Sequence, residues 1–364
     1  MSIIVFLIIT IFIAVIQTII PYLMKRTVVF GVTIPVQYIQ NQSIRKYKKQ
    51  YAISVALLSA AIIVAYVIWA LTSERLDEQI AIAGAIIEFA LIFISLSWYF
   101  YYHGKTKQLK NKNKWTENLK QIKVTDLSVR NQDEMLPWYV YILPMLISIG
   151  LIIYTILNYN LLPNEIPTHW GPNGKPDAFT EKTLFSSIQM IVFLLVMQLM
   201  FLGIHIATKN SGIKLSATNL QSSRNRQLSL RKYSSWFMLF TLLAITMLMS
   251  YFQLTTIHPN IVSDYVMLAL PLVFLIIILI GTLIFGLKVG SSDKVVDVSE
   301  SKQIMDIDED QYWKGGMFYF NKNDPSIFVE KRFGVGWTIN FANPIGYIIL
   351  ILPIIIILVF AYIN

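Results

Sequence analysis

The chain has 364 residues, 55% of them hydrophobic and only 14% charged, with a formal net charge of +9 and no cysteine. Soluble domains carry about a quarter charged residues, so this composition excludes an ordinary water-soluble globule. The missing cysteine excludes disulfides, thiol catalysis and thiolate metal sites.

The apolar residues are clustered. Runs at 3–24, 51–71, 80–102, 138–159, 184–207, 236–254, 265–287 and 345–363 reach the roughly 20 residues that cross ~30 Å of hydrocarbon. Each run is continuously apolar rather than alternating, which suits helices and not barrel strands. The expected fold is an all-α polytopic membrane protein with about eight transmembrane helices. Basic residues fall in alternate connections: all of the 30 except Arg75, Lys175 and Lys182 lie on one side. That is the positive-inside pattern, and it places both termini outside. The charge therefore reads as a topology signal and a contact with anionic membrane lipids, not as a nucleic-acid footprint.

In chain order, the segments are 1–136, 137–207, 208–287, 288–344 and 345–364. The first run lacks a basic leader and a small-x-small cleavage pattern before Lys25, so it is expected to be a retained span rather than a signal peptide. After it, Phe30-Gly31-Val32-Thr33-Ile34-Pro35 is an apolar piece expected to re-enter the membrane interface. Tyr66 and Trp69 suit an aromatic belt at the outer end of the second span, and residues 72–79 form a short acidic outer connection.

Glu88 sits inside the third run. An ionisable group there is expensive: it is a proton carrier, ion ligand or substrate contact, or else a protonated carboxyl bonded to a neighbouring helix. The run closes on Trp98-Tyr99-Phe100-Tyr101-Tyr102-His103, read as an interfacial belt with a solvated histidine. Residues 104–136 are lysine-rich and expected to lie partly helical along the membrane surface. Pro137 starts the fourth span, and Pro144 inside it predicts a kink.

The stretch from Leu162 to Asp177 packs four prolines and two glycines into sixteen residues between two spans. Proline fixes its own φ and restricts its predecessor, so a rigid polar loop is expected here, on the outer side. Pro163, Pro167, His169, Trp170, Gly174, Pro176 and Asp177 are its candidate ligand-binding or sensing residues. A histidine near Glu165, Asp177 and Glu181 has the chemistry of a proton-sensitive contact or a weak divalent-metal site. One histidine is a poor zinc set, so no metal or cofactor is assigned. The alternative is a scaffold, in which Asn173-Gly174 makes a tight turn and Asp177 caps the next helix.

These residues resemble a bacterial membrane domain, domain of unknown function 1648, whose hallmark reads Leu-Pro-x-x-Ile-Pro-x-His-(Trp/Phe)-x-x-x-Gly-x-Pro-Asp. Here the matching positions are Leu162, Pro163, Ile166, Pro167, His169, Trp170, Gly174, Pro176 and Asp177. The domain also occurs in SdpI-type immunity proteins, which protect a bacterium from its own secreted toxin and signal to a repressor. That resemblance implies toxin recognition or signalling.

Gln189, Gln198 and His205 mark the fifth span, with the glutamines placed to bond across helices. Arg224, Arg226, Arg231 and Lys232 follow in a polar inner loop and suit anionic headgroups. His258-Pro259-Asn260 turns the chain between the sixth and seventh spans, and Pro271 bends the seventh.

Residues 294–310 are acidic and aperiodic and read as a flexible lead-in. From Tyr312 to Phe341 apolar residues alternate around Asn321-Lys322-Asn323-Asp324-Pro325, predicting a small cytoplasmic β-motif before the last helix. Thirty residues cannot build a core alone, so it is expected to dock on the bundle or the bilayer. This region resembles domain of unknown function 5808 through Tyr312-Trp313-Lys314, Asn323-Asp324-Pro325 and Lys331-Arg332-x-Gly334-x-Gly336-Trp337. Trp313, Asp324, Lys331, Arg332 and Trp337 are its candidate residues for docking a cytoplasmic regulatory partner.

No nucleophile–base pair, metal set or Walker lysine is present, so no enzymatic activity is expected. The reading is an immunity-type membrane sensor for an extracellular toxin, peptide or envelope signal. The alternative is a proton-coupled transporter or exporter centred on Glu88.

Overall fold

Hydropathy builds the helices, and the connections between them carry the short strands. The computed structural model describes residues 2–72, 76–117, 119–122, 124, 126–171, 174–261, 264–293 and 304–363. Among them are eight α-helices: α1 (Ser2–Leu23), α2 (Gln42–Thr72), α3 (Asp77–Lys112), α4 (Ile142–Leu157), α5 (Leu184–Asn210), α6 (Leu220–Ile257), α7 (Asp264–Ser291) and α8 (Pro344–Ile363). Seven, α1 to α7, are long and apolar enough to cross a membrane when α4 is counted with the 3-10 turn before it, and α8 is apolar over Pro344–Val359. This is the build of a multi-pass membrane protein. Short strands precede the last helix, as expected.

The chain forms two compact units, each drawn from three stretches of sequence. The first comprises residues 1–134, 211–233 and 283–343. In it α1 packs on α2 and α3, and Gly84 of α3 lets them close up, because a Cβ there would lie 2.5 Å from the Phe6 ring.

Residues 30–35 are buried within the unit, in and beside a hairpin, rather than laid along its surface. β1 (Val28–Val29) and β2 (Val32–Thr33) pair antiparallel, and the two residues between them, Phe30 and Gly31, have φ of 45° and 76°. Positive φ at both central positions is what a type I′ hairpin requires. The strain of a non-glycine there is offset by burial. Phe30 is fully buried, its ring 5.4 Å from those of Tyr51 and Tyr102. Gly31 touches the next loop so closely that a Cβ would meet Gly316 Cα at 2.5 Å.

Three belt residues are therefore core residues: Tyr99, Tyr102 and Tyr66 are buried, while Phe100 and Tyr101 are exposed. Tyr66 donates to the Ile80 carbonyl at 3.1 Å. His103 is half-buried rather than solvated, its Nδ1 2.7 Å from the Phe30 carbonyl.

The long connections of this unit knit into one module. β3 (Lys120–Ile122) pairs in parallel with β6 (Ile304–Asp306). β7 (Trp313–Lys314) pairs with β8 (Phe318–Tyr319), and β9 (Phe328–Glu330) with β10 (Trp337–Ile339). A bridge from Tyr319 to Asn340 links these ribbons. Buried Asn340 satisfies both ends of its amide, donating to the Asn321 and Asp324 carbonyls and accepting from the Asn321 and Ala342 amides. The ribbons dock on α3, where Phe333 lies 4.0 Å from Tyr99 between ring centroids.

Of the acidic lead-in, residues 294–303 lie outside the described residues; 304–310 is not a free linker. Asp306 accepts from Ser216 Oγ and the Ala217 amide, and Asp308 and Asp310 both bind Lys110, at 2.5 and 2.7 Å. Arg226 and Arg231 likewise do not reach for headgroups. Both are fully buried, Arg226 on Glu330 and Arg231 on Asp133, each at 2.6 Å. Buried guanidinium groups demand such partners, since an unpaired charge in a low-dielectric interior is prohibitively expensive.

The second unit comprises residues 135–210, 234–282 and 344–364. α4 packs on α5, and α5 on α8. The kink expected at Pro144 is taken up by a 3-10 turn, Trp138–Tyr141, that passes into α4. In the first helical turn the missing proline N–H had no partner to lose.

Candidate functional site

The proline-rich stretch folds as a β-hairpin rather than an irregular loop. β4 (Glu165–Trp170) and β5 (Pro176–Glu181) run antiparallel, pairing Glu165 with Glu181, Ile166 with Thr180 and Pro167 with Phe179. The register then shifts on both sides of His169. Pro167 cannot donate to the ladder, and a bulge is how a strand absorbs such a residue. Asn173 of the expected turn lies outside the described residues; next to it Gly174 has φ of 74°. Its amide donates to the Gly171 carbonyl at 2.9 Å.

One face of the hairpin is seated. Ile166 is buried with Leu162 and Ile257, and Tyr159 packs beside them. Trp170 stacks on Phe252 of α6, centroids 4.7 Å apart. A Cβ on Gly174 would crowd the α7 backbone at Leu268, 3.2 Å away, and the positive φ itself favours glycine. Lys182 donates to the Leu162 carbonyl at 2.7 Å with its ammonium 4.7 Å above the Tyr159 ring.

The other face is open. Directly paired residues share a face, and so do residues two apart, so Glu165, Glu181, Pro167 and Phe179 form one surface. Phe179 is 52% exposed. Beside it His169 Nδ1 lies 2.5 Å from Asp177 Oδ1, and these side chains are 67% and 50% exposed. Asp177 thus pairs with His169 and does not cap the next helix. Thr183 does that, its Oγ1 accepting from the Ser186 amide at 3.0 Å while Ser186 Oγ accepts from the Thr183 amide at 2.8 Å. Of the remaining sequence-predicted positions, Trp170 and Gly174 seat the hairpin, and Pro163, Pro167 and Pro176 lie along it. No group of three or more metal-binding side chains occurs among the described residues.

Beneath the hairpin, two polar contacts tie α4, α5 and α6 together. Gln198 Nε2 reaches Ser148 Oγ and Thr246 Oγ1, both at 2.9 Å, and the Pro144 carbonyl at 3.1 Å. Gln253 Nε2 donates to the Ser187 carbonyl at 2.8 Å and lies 3.2 Å from Thr155 Oγ1. Thr246 and Gln253 are seven apart on α6, as are Ser148 and Thr155 on α4, so the same helix faces meet twice. Leu151, Ile191 and Leu194 fill the layer between. Gln253, missed from sequence, adjoins Phe252, the ring on which Trp170 stacks. Its only signal was a lone amide in an apolar run. Gln189 makes no matching contact through Oε1, which is buried without a partner among the described residues.

The other sequence-predicted residues belong to the first unit. Glu88 is half-buried on α3, with Oε1 buried and lacking any hydrogen-bond partner among the described residues. In the module of short strands, Trp313 is buried against Tyr319 and Val329. Arg332 is buried between Asp310, at 2.5 Å, and the Gly31 carbonyl. Asp324 binds Lys214 at 3.1 Å and the Tyr319 hydroxyl at 2.8 Å. These three are thus internal struts. Lys331 is exposed and Trp337 half-buried.

No curated protein and no solved structure matches the chain. Residues 322–347, from the turn after β8 through β9 and β10 into α8, match the model of a family of unknown function (DUF5808). Residues 146–195, which hold most of α4, the hairpin and the start of α5, match that of a domain of unknown function (DUF1648).

Proposed function

We propose that this multi-pass membrane protein is a non-enzymatic sensor whose β4–β5 hairpin faces the cell exterior and recognises a cationic secreted peptide, as an immunity protein would. One observation carries the reading: Glu165 and Glu181, both exposed, stand directly opposite each other. Like charges so placed destabilise a hairpin, and a cationic ligand relieves the repulsion. Phe179 beside them offers the apolar and cation–π contact that a basic, amphipathic peptide uses. The Trp170–Phe252 stack and the Gln253 latch connect that surface to the helix interior. The inner module is then the output side, available to a cytoplasmic regulator.

The test is binding of a labelled lysine-rich amphipathic peptide to the full-length protein in nanodiscs, with Glu165→Gln/Glu181→Gln and His169→Ala/Asp177→Ala variants. Glu165→Gln/Glu181→Gln is expected to weaken binding about thirtyfold and His169→Ala/Asp177→Ala, which removes one carboxylate, about fivefold, because every lost opposite charge near the site removes roughly 1 kcal/mol. The protein amount in the membrane is expected to stay unchanged. Equal affinity in wild type and both variants contradicts the reading.

A second reading, proton-coupled export, rests on the unpartnered Glu88 Oε1 within a span. Glu88→Gln separates the two, since it abolishes proton-coupled efflux but leaves peptide binding intact.

A further inference from the structure

The first unit contains a cavity of about 200 Å³ whose wall includes Gly31, His103, Lys107, Asp310, Trp313 and Lys314. We propose that this cavity binds a phosphate-ester anion, and specifically the headgroup of an anionic phospholipid.

The charge around it favours an anion. Among the described residues Asp310 is the one carboxylate in the wall, and its oxygens are already engaged. Oδ1 accepts from the Thr33 amide and hydroxyl and from Arg332, and Oδ2 from Lys110. Lys107 and Lys314, both exposed, remain as surplus cations. Lys107 has no ion-pair partner among the described residues, and Lys314 only donates to the Gln311 carbonyl at 3.2 Å. His103 contributes an acceptor rather than a charge. Its Nδ1 lies 2.7 Å from the Phe30 carbonyl, which only accepts, so Nδ1 carries the hydrogen and Nε2 is left to accept from a headgroup hydroxyl. The cavity has room for a phosphate with a short polyol.

The helix that supplies His103 and Lys107 also indicates where the phosphate comes from. On α3 the exposed residues Ile82, Ile86, Phe89, Phe93 and Phe100 fall on one stripe at helical spacing. Lys107 continues the same stripe two turns beyond Phe100. A lipid whose acyl chains lie along this face brings its headgroup to the cavity mouth, where a basic pocket beside a span selects anionic lipids. Trimethylammonium headgroups find no free carboxylate there among the described residues.

Native mass spectrometry of the full-length protein, offered equal phosphatidylglycerol and phosphatidylcholine, tests the lipid arm; sn-glycerol 3-phosphate tests a soluble source. Phosphatidylglycerol is expected to be retained over phosphatidylcholine on the order of tenfold, from two lysines near the headgroup. Lys107→Gln/Lys314→Gln is expected to remove that preference, and Lys107→Arg/Lys314→Arg to keep it, both with the wild-type unfolding temperature. Glycerol 3-phosphate binding that depends on the same lysines, without lipid selectivity, would keep the phosphate site and overturn the lipid assignment. No lysine-dependent binding of either probe overturns the proposal.

Discussion

Arg231→Leu is expected to destabilise the first unit by about 3–5 kcal/mol, the range seen when one member of a buried ion pair is removed. Arg231 is fully buried, and its Nε and Nη2 both point at Asp133 Oδ2, at 2.9 and 2.6 Å. The leucine leaves a carboxylate that is only 9% exposed facing an apolar side chain. Replacing both partners, Arg231→Leu/Asp133→Leu, is expected to recover much of the loss, because no buried charge then remains. The neighbouring pair, Lys232 with Glu134, supplies the control. It is exposed, so Lys232→Gln is expected to change stability by less than about 1 kcal/mol. Unfolding of the purified protein in detergent, followed by heating or denaturant, checks all three. Equal effects at 231 and 232 would mean that burial is not what sets these energies.

Asp310→Asn is expected to be nearly as damaging, since one carboxylate there holds Lys110, Arg332 and the Thr33 backbone of β2. Burial alone would raise its pKa, but the charges of Arg332 and Lys110 outweigh that and hold it well below the usual carboxylate range. Asp324 behaves likewise. Burial opposes its ionisation, yet the Ser326 amide and Lys214 keep it at about 2. Folded pKa values below the unfolded value of ~3.9 mean that both groups contribute stability above that pH and lose it as pH falls toward 2. The module is therefore expected to hold its melting temperature from pH 7 to pH 5 and to lose it steeply below about pH 4. In Asp310→Asn the neutral-pH melting temperature falls and the acid drop shrinks. An acid profile identical to wild type would show that Asp310 is not the group titrating.

The spans were legible because a membrane helix is a continuous apolar run and needs no partner to be recognised. What the runs hid was how far two helices extend. α3 continues to Lys112 and α6 begins at Leu220, in polar sequence without an apolar period to mark it. Arg226 and Arg231 were misread for a related reason. The acids that pair them, Glu330 and Asp133, lie about a hundred residues away, so local sequence shows only a basic cluster. Phe30 was read as interfacial because an apolar hairpin tip looks the same whether it meets lipid or a tyrosine cage. In the hairpin the prolines excluded helix, correctly, but also masked strand, since Pro167 and Pro176 sit in irregular register. His169 and Asp177 were legible as neighbours through their spacing. The role of Asp177 was not, because a carboxylate before a helix has the same sequence signature whether it caps or pairs.

The sensing account needs the hairpin and the inner ribbons on opposite sides of the membrane. A chain without cysteine makes that directly measurable, because each introduced thiol is unique. Phe179→Cys and Lys322→Cys are placed at exposed positions, one on β5 and one in the turn after β8. An impermeant maleimide added to intact cells is expected to label the first and to reach the second only after permeabilisation. Labelling at 322 with protection at 179 would contradict the account.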